Sequence, residues 1–160
     1  MRYEYKSIKF FAQGGDALKA AEILRGEIES RTGVMPQITV PEKADISLIA
    51  DPNGLRDGYK IEQSGSRLVF RAQGIRGLIF AIGMFLRKIE VSGEKITLIQ
   101  DIGGEYKPDK RIRGHQLGYR TTPNSYDAWD LEDYRRYYLD LMFFGCNTVE
   151  HIPYDGLGAQ

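Results

Sequence analysis

The residues best equipped for chemistry lie in the last third of the chain: Arg113, Tyr119, Arg120, Glu150, His151 and Asp155. Together they offer cationic donors, carboxylate acceptors, an imidazole and a phenol ring. A polar ligand with one apolar side needs that mixture of hydrogen-bonding groups and aromatic surface. Glu150 and His151 are neighbours, so on a strand their side chains leave opposite faces. Glu150 is expected to be the inward carboxylate or to sit at the rim, and His151 to be a hydrogen-bonding residue of the rim. A solvated charge at a strand end is the plainer reading of Glu150. A metal site would need His115, His151 and a carboxylate converging from two strands. No metal site and no cofactor are expected.

These residues require strands to carry them. From Lys110 to Tyr154 the order is an apolar strand (RIRGHQLGY), a polar loop (RTTPNSYDAW), an amphipathic helix (DLEDYRRYYLDLMFF), a glycine and a second strand (CNTVEHIPY). This is one βαβ unit. Asp130 is placed to cap the helix with Asp133 at the third position, and Trp129 and Tyr134 are spaced as a hydrophobic staple. Leu131, Tyr134, Tyr138, Leu141 and Met142 follow core spacing, so the tyrosine-rich run reads as a packing face rather than a ligand stripe. A single βαβ unit cannot cover both faces of a parallel sheet. An eight-stranded barrel would need about six more strand–helix pairs. The chain is therefore expected to be the N-terminal piece of a larger protein, able to self-associate through an open barrel face. Active sites of such barrels lie at the carboxyl ends of the strands. That puts Tyr119, Arg120, Glu150, His151 and Asp155 near the mouth.

The first hundred residues read differently. KSIKFF forms a strand, Gly14 and Gly15 break it, and Ala17, Ala20, Ala21, Leu24 and Ile28 mark a helix closed by Gly33. Four short β-rich segments follow (PQITV, DISLIA, DGYKIEQ and SRLVFRA), separated by turn residues. Ile75, Leu78, Ile79, Ile82, Phe85, Leu86 and Ile89 then predict a second helix, and Gly77 and Gly83 within it point to close packing on a neighbouring backbone. EKITLIQ is a last strand. The fold class expected is α+β: a mixed sheet with two long helices on one face, followed by one βαβ unit of an incomplete (β/α)8 (TIM) barrel. The polar, aperiodic segment DIGGEYKPDK places the boundary, giving domains 1–104 and 105–160.

Composition narrows the partners. Lys plus Arg and Asp plus Glu number 22 each, so no long-range field favours nucleic acid or an anionic membrane. The 42% apolar and 28% charged content suits a globular protein. The single cysteine, Cys146, rules out an internal disulfide and is expected to be a small buried strand residue. No signal peptide and no apolar run near membrane-spanning length is present.

The helix AAEILRGEIESRTG, the hairpin LRDGYKIEQSGSRLVFRAQG and the helix GIRGLIFAIGMFLRKI resemble the non-catalytic N-terminal domain of family 20 β-N-acetylhexosaminidases. They are also similar to the domains that precede the barrels of family 67 α-glucuronidases. RIRGHQLGYR resembles the start of the family 20 barrel, where an Arg-Gly pair opens the first strand. Asn147, Glu150, His151 and Asp155 echo its second strand with the histidine displaced. The family's next Asp falls near Gly118, and His115 and Gln116 replace aliphatic residues, so the likeness is to a relative rather than a standard hexosaminidase.

The resemblance implies a carbohydrate substrate and makes Arg113 a ligand of sugar hydroxyls. Arg113, Glu150, His151, Asp155 and Tyr119 form the expected substrate-binding set. An arginine opening a strand fits equally a structural ion pair at the bottom of a barrel. The resemblance also implies an extracytoplasmic setting. The family acts through a substrate acetamido group steered by an Asp-Glu pair. No such pair stands on a strand end after residue 110, so the acid is expected outside this chain, and the chain alone is expected to be inactive. The alternatives are a carbohydrate-binding or assembly module without hydrolysis, or a first domain that acts alone as an interaction module.

Overall fold

The computed structural model describes residues 1–117 and 128–151. The chain divides into two compact units, Met1–Asp109 and Lys110–Gln160.

In the first unit the elements run β1 (Tyr3–Tyr5), β2 (Lys9–Gln13), α1 (Gly15–Thr32), β3 (Gln37–Ile38), β4 (Ile46–Ala50), β5 (Tyr59–Ser64), β6 (Arg67–Ala72), α2 (Ile75–Leu86), β7 (Ile89–Ser92), β8 (Lys95–Leu98) and β9 (Gly104–Tyr106). Six strands form a mixed sheet in the order β3-β2-β4-β6-β5-β9. β3, β2, β4 and β6 are parallel, while β5 runs antiparallel to β6 and β9 antiparallel to β5. A second sheet, β1-β8-β7, is antiparallel throughout.

Strand alternation sets the core. Phe10, Ile46, Leu68 and Phe70 are fully buried, and their register neighbours on the same face pack under the helices. α1 buries the small stripe Ala17, Ala20, Ala21, Leu24 and Ile28, and packs on β2 and β4. α2 packs on β4, β5 and β6 and on α1, so the two helices share one face. Gly77 permits this approach. A Cβ there would lie 2.6 Å from both Ala72 Cβ and the Gly58 carbonyl oxygen.

Three strands escape the periodicity of the sequence. α2 stops at Leu86 and not at Ile89, because Ile89 and Val91 alternate against Leu98 and Ile96 in β7. β1 is three residues long and exists by pairing with β8. β9 lies inside the segment read as a linker: Tyr106 pairs with Tyr59, their rings stacked at 4.8 Å and 18°. The first unit therefore continues past residue 104.

The second unit holds β10 (Gly114–Leu117), α3 (Leu131–Phe143) and β11 (Thr148–His151). β10 and β11 are parallel, in the register Gly114↔Thr148, His115↔Val149, Gln116↔Glu150 and Leu117↔His151. α3 opens as its sequence requires. Asp130 and Asp133 each accept from the other's backbone N–H at 3.0–3.1 Å, forming a capping box, and Trp129 meets Tyr134 edge-on at 5.3 Å. The packing face differs from the spacing-based expectation. Leu131 is 84% exposed, Tyr134, Tyr138, Leu141 and Met142 are half-buried, and Phe143 is the buried residue.

Candidate functional site

Which residues share a face follows from the parallel register. His115 shares a hydrogen bond with the Tyr137 hydroxyl, and their rings meet edge-on at 5.8 Å, so the His115 face of the two strands looks toward α3. Alternation then sets Gln116 and Glu150 together on the opposite face, where both are exposed. The face bearing Glu150 is thus the one turned away from α3. His151 follows on β11 beside Leu117.

Arg113 sits at the other end of the strands. Its Nε donates to the Gly145 carbonyl at 2.8 Å and its Nη1 to the Lys110 carbonyl at 2.7 Å. These partners belong to the amino ends of β10 and β11, opposite to the carboxyl ends. The Arg113 backbone N–H donates to Asn147 Oδ1 at 3.0 Å, and the Asn147 Nδ2 donates to the Arg111 carbonyl at 2.9 Å. Tyr119, Arg120 and Asp155, expected at the mouth, lie outside the described residues.

Behind the strands, Tyr137 joins His115 to Trp129, whose ring is 5.0 Å away. Burial raises the Tyr137 phenol above its ordinary value, with Cys146 and Tyr138 nearby adding to the rise. Spacing did not single out Tyr137, because it lies off the apolar stripe; its partner is a histidine on β10. Cys146 is half-buried in the turn before β11, rather than in the strand.

In the first unit a cleft of about 420 Å³ opens over the starts of the helices, lined by Asp16, Arg56, Gln73, Gly74, Ile75 and Arg76. The chain supplies its own anion here. Asp16 Oδ2 accepts from the Ile75 N–H at 3.2 Å at the start of α2, and Arg76 pairs with Asp57 at 3.1 Å.

No protein-family model matches the sequence, and no curated protein sequence matches it. Solved structures do. An exo-β-N-acetylglucosaminidase of family 20 from Vibrio harveyi, bound to N-acetylglucosamine, superposes with a TM-score of 0.74 at 15% identity over 94% of this chain. The fold is that of family 20 hexosaminidases. A Streptomyces plicatus β-hexosaminidase variant with its product gives 0.69 at 13% identity, and the β-N-acetylhexosaminidase of Bacteroides fragilis 0.66 at 14%, each over 94% of the chain. The chain spans 23%, 31% and 30% of these three proteins. At such identities the likeness is one of family 20 fold. Among the described residues no helix is long and apolar enough to cross a membrane.

Proposed function

We propose that this chain is part of a glycoside hydrolase acting on glycans in the manner of a β-N-acetylhexosaminidase. In this reading the α+β unit is a non-catalytic brace, and the second unit supplies the first strand, helix and second strand of a (β/α)8 barrel. The observation that carries it is the match to family 20 structures over 94% of the chain, reaching across both units. The face bearing Glu150 and Gln116 supports it, since it is polar, exposed and turned away from α3.

Glu150 is the proposed sugar-contacting carboxylate, and His151, Tyr119 and Asp155 complete the proposed set from the order of the sequence. Arg113 enters as a brace of the strand pair. Its guanidinium bonds to backbone carbonyls at the amino ends, which supports the structural reading of this residue over the sugar-ligand one. The catalytic acid is supplied from beyond these residues.

The test compares the 160-residue chain with the longest reading frame that contains it, on an aryl N-acetyl-β-hexosaminide. Turnover is expected for the longer protein and none for the chain alone, since general acid–base catalysis is worth about 10²–10⁴ in rate. Binding of N-acetylglucosamine-containing glycans by the longer protein without hydrolysis would replace this reading with that of a carbohydrate-binding module. Hydrolysis by the 160-residue chain would overturn the assignment of the acid.

A further inference from the structure

We propose that Asn147 and Arg113 form a register lock for β10 and β11, acting as positioning residues that hold Glu150 level with Gln116. The apolar pattern cannot set this register by itself. The face toward α3 carries His115 and Leu117 on one strand and Val149 on the other. A slide of two residues would keep every side chain on its face, so alternation does not oppose it. Short strands with few apolar residues are prone to such slippage.

Polar groups at the amino ends supply what the pattern lacks. The Asn147 amide works in both directions at once. Its Oδ1 accepts from the Arg113 N–H at 3.0 Å and from the Thr148 hydroxyl at 3.1 Å, while its Nδ2 donates to the Arg111 carbonyl at 2.9 Å. The backbone N–H groups of Asn147 and Thr148 both reach the Arg113 carbonyl, at 2.8 and 3.2 Å. Arg113 closes the arrangement from the other strand through Gly145 and Lys110. Gly114 completes it, because a Cβ there would lie 2.5 Å from the Thr148 carbonyl oxygen, so the first rung is tighter than any side chain allows. A slide would separate the Asn147 amide from Arg111 and Arg113 together. The lock itself does not depend on the sugar reading; its consequence for Glu150 does, and the experiment reads the lock without any ligand.

Two double variants in a Cys146→Ser background report the register: Gln116→Cys with Glu150→Cys, and Gln116→Cys with Thr148→Cys. Facing positions on adjacent strands are about 5 Å apart, whereas a two-residue offset gives roughly 8 Å. A disulfide does not bridge Cα atoms more than about 7 Å apart. The first pair should therefore crosslink on oxidation and the second should not. Adding Asn147→Ala should lower the first yield several-fold and raise the second. Asn147→Asp, which keeps an acceptor and loses the donor, should fall between. Arg113→Ala should shift the ratio the same way as Asn147→Ala, and an unmoved ratio would remove Arg113 from the lock. An unchanged preference in Asn147→Ala overturns the proposal. So does loss of both crosslinks, which would make Asn147 a requirement for pairing and not for register.

Discussion

At the scale of single residues, glycines divide sharply by what surrounds them. Gly77 stands where a Cβ would meet Ala72 Cβ and the Gly58 carbonyl oxygen, each at 2.6 Å, and neither can move without shifting the sheet. Gly26 lies on the exposed side of α1, and a Cβ there would meet nothing within 4 Å. Both are helical, so the intrinsic gain from alanine is the same for each, about 1 kcal/mol. Overpacking costs about 1–3 kcal/mol and decides the sign at Gly77. Gly77→Ala should lower the melting temperature of the first unit and Gly26→Ala should raise it. For a unit of this size about 1 kcal/mol corresponds to roughly 4–8 °C. Thermal unfolding followed by circular dichroism checks both, and a rise for Gly77→Ala would refute the close approach. The sequence suggested that tight contact, since a glycine in an otherwise apolar helix lowers helix propensity. It did not suggest the backbone carbonyls that accept from the Arg113 Nε and Nη1, which leave no mark in any side-chain pattern.

At the scale of elements, legibility follows from how local each determinant is. The α3 start was readable because Asp130, Asp133, Trp129 and Tyr134 lie close together in sequence and satisfy one another. The hairpin β5–β6 was readable from Gly65, which takes a φ of 60° in its turn. β9 was not, because Gly104–Tyr106 becomes a strand only through β5, far earlier in the chain. Of the expected site, alternation separates Glu150 from His151, but the face Glu150 takes follows from the His115–Tyr137 contact, and the register that levels it with Gln116 depends on side chains outside the strands. The β5–β9 pairing also makes a pH prediction. Burial raises the Tyr59 phenol to about 12, against the opposing pull of Arg87. A folded-state value above that of the unfolded chain, about 10, favours the neutral form. The associated stability is fully present below about pH 10 and is lost as pH rises toward 12. Tyr5, raised by burial as well, contributes in the same direction. The melting temperature should fall between about pH 10 and 12, and less steeply in Tyr59→Phe. An identical slope in the variant would mean that Tyr59 ionises freely in the folded state.

At the scale of the whole molecule, the same strand decides where the first unit ends. Aperiodic, polar and containing Gly103, Gly104 and Pro108, the stretch from Asp101 to Lys110 has the composition of a linker, and a boundary at 104 follows from that composition. The fold uses part of it instead. Gln63 Oε1 accepts from the Ile102 and Gly103 N–H groups at 2.7 and 3.1 Å, the Tyr106 hydroxyl donates to the Ile102 carbonyl at 2.9 Å, and the Tyr59–Tyr106 stack covers the end of β5. Ile102 is itself 2% exposed. A chain ending after Asp109 should keep all of this, whereas one ending after Gly103 loses the stack, the Tyr106 hydrogen bond and the β9 ladder. The stack alone is worth about 0.5–1.5 kcal/mol beyond its buried area, and each hydrogen bond about 1 kcal/mol. The shorter form should therefore unfold at a distinctly lower urea concentration, with Tyr59 exposed to solvent in the folded state. Equal midpoints for the two truncations would show that β9 adds nothing to the first unit and would return the boundary to residue 104. Limited proteolysis of the intact chain offers an independent reading, with the first cuts expected from 107 to 112, on the far side of Tyr106.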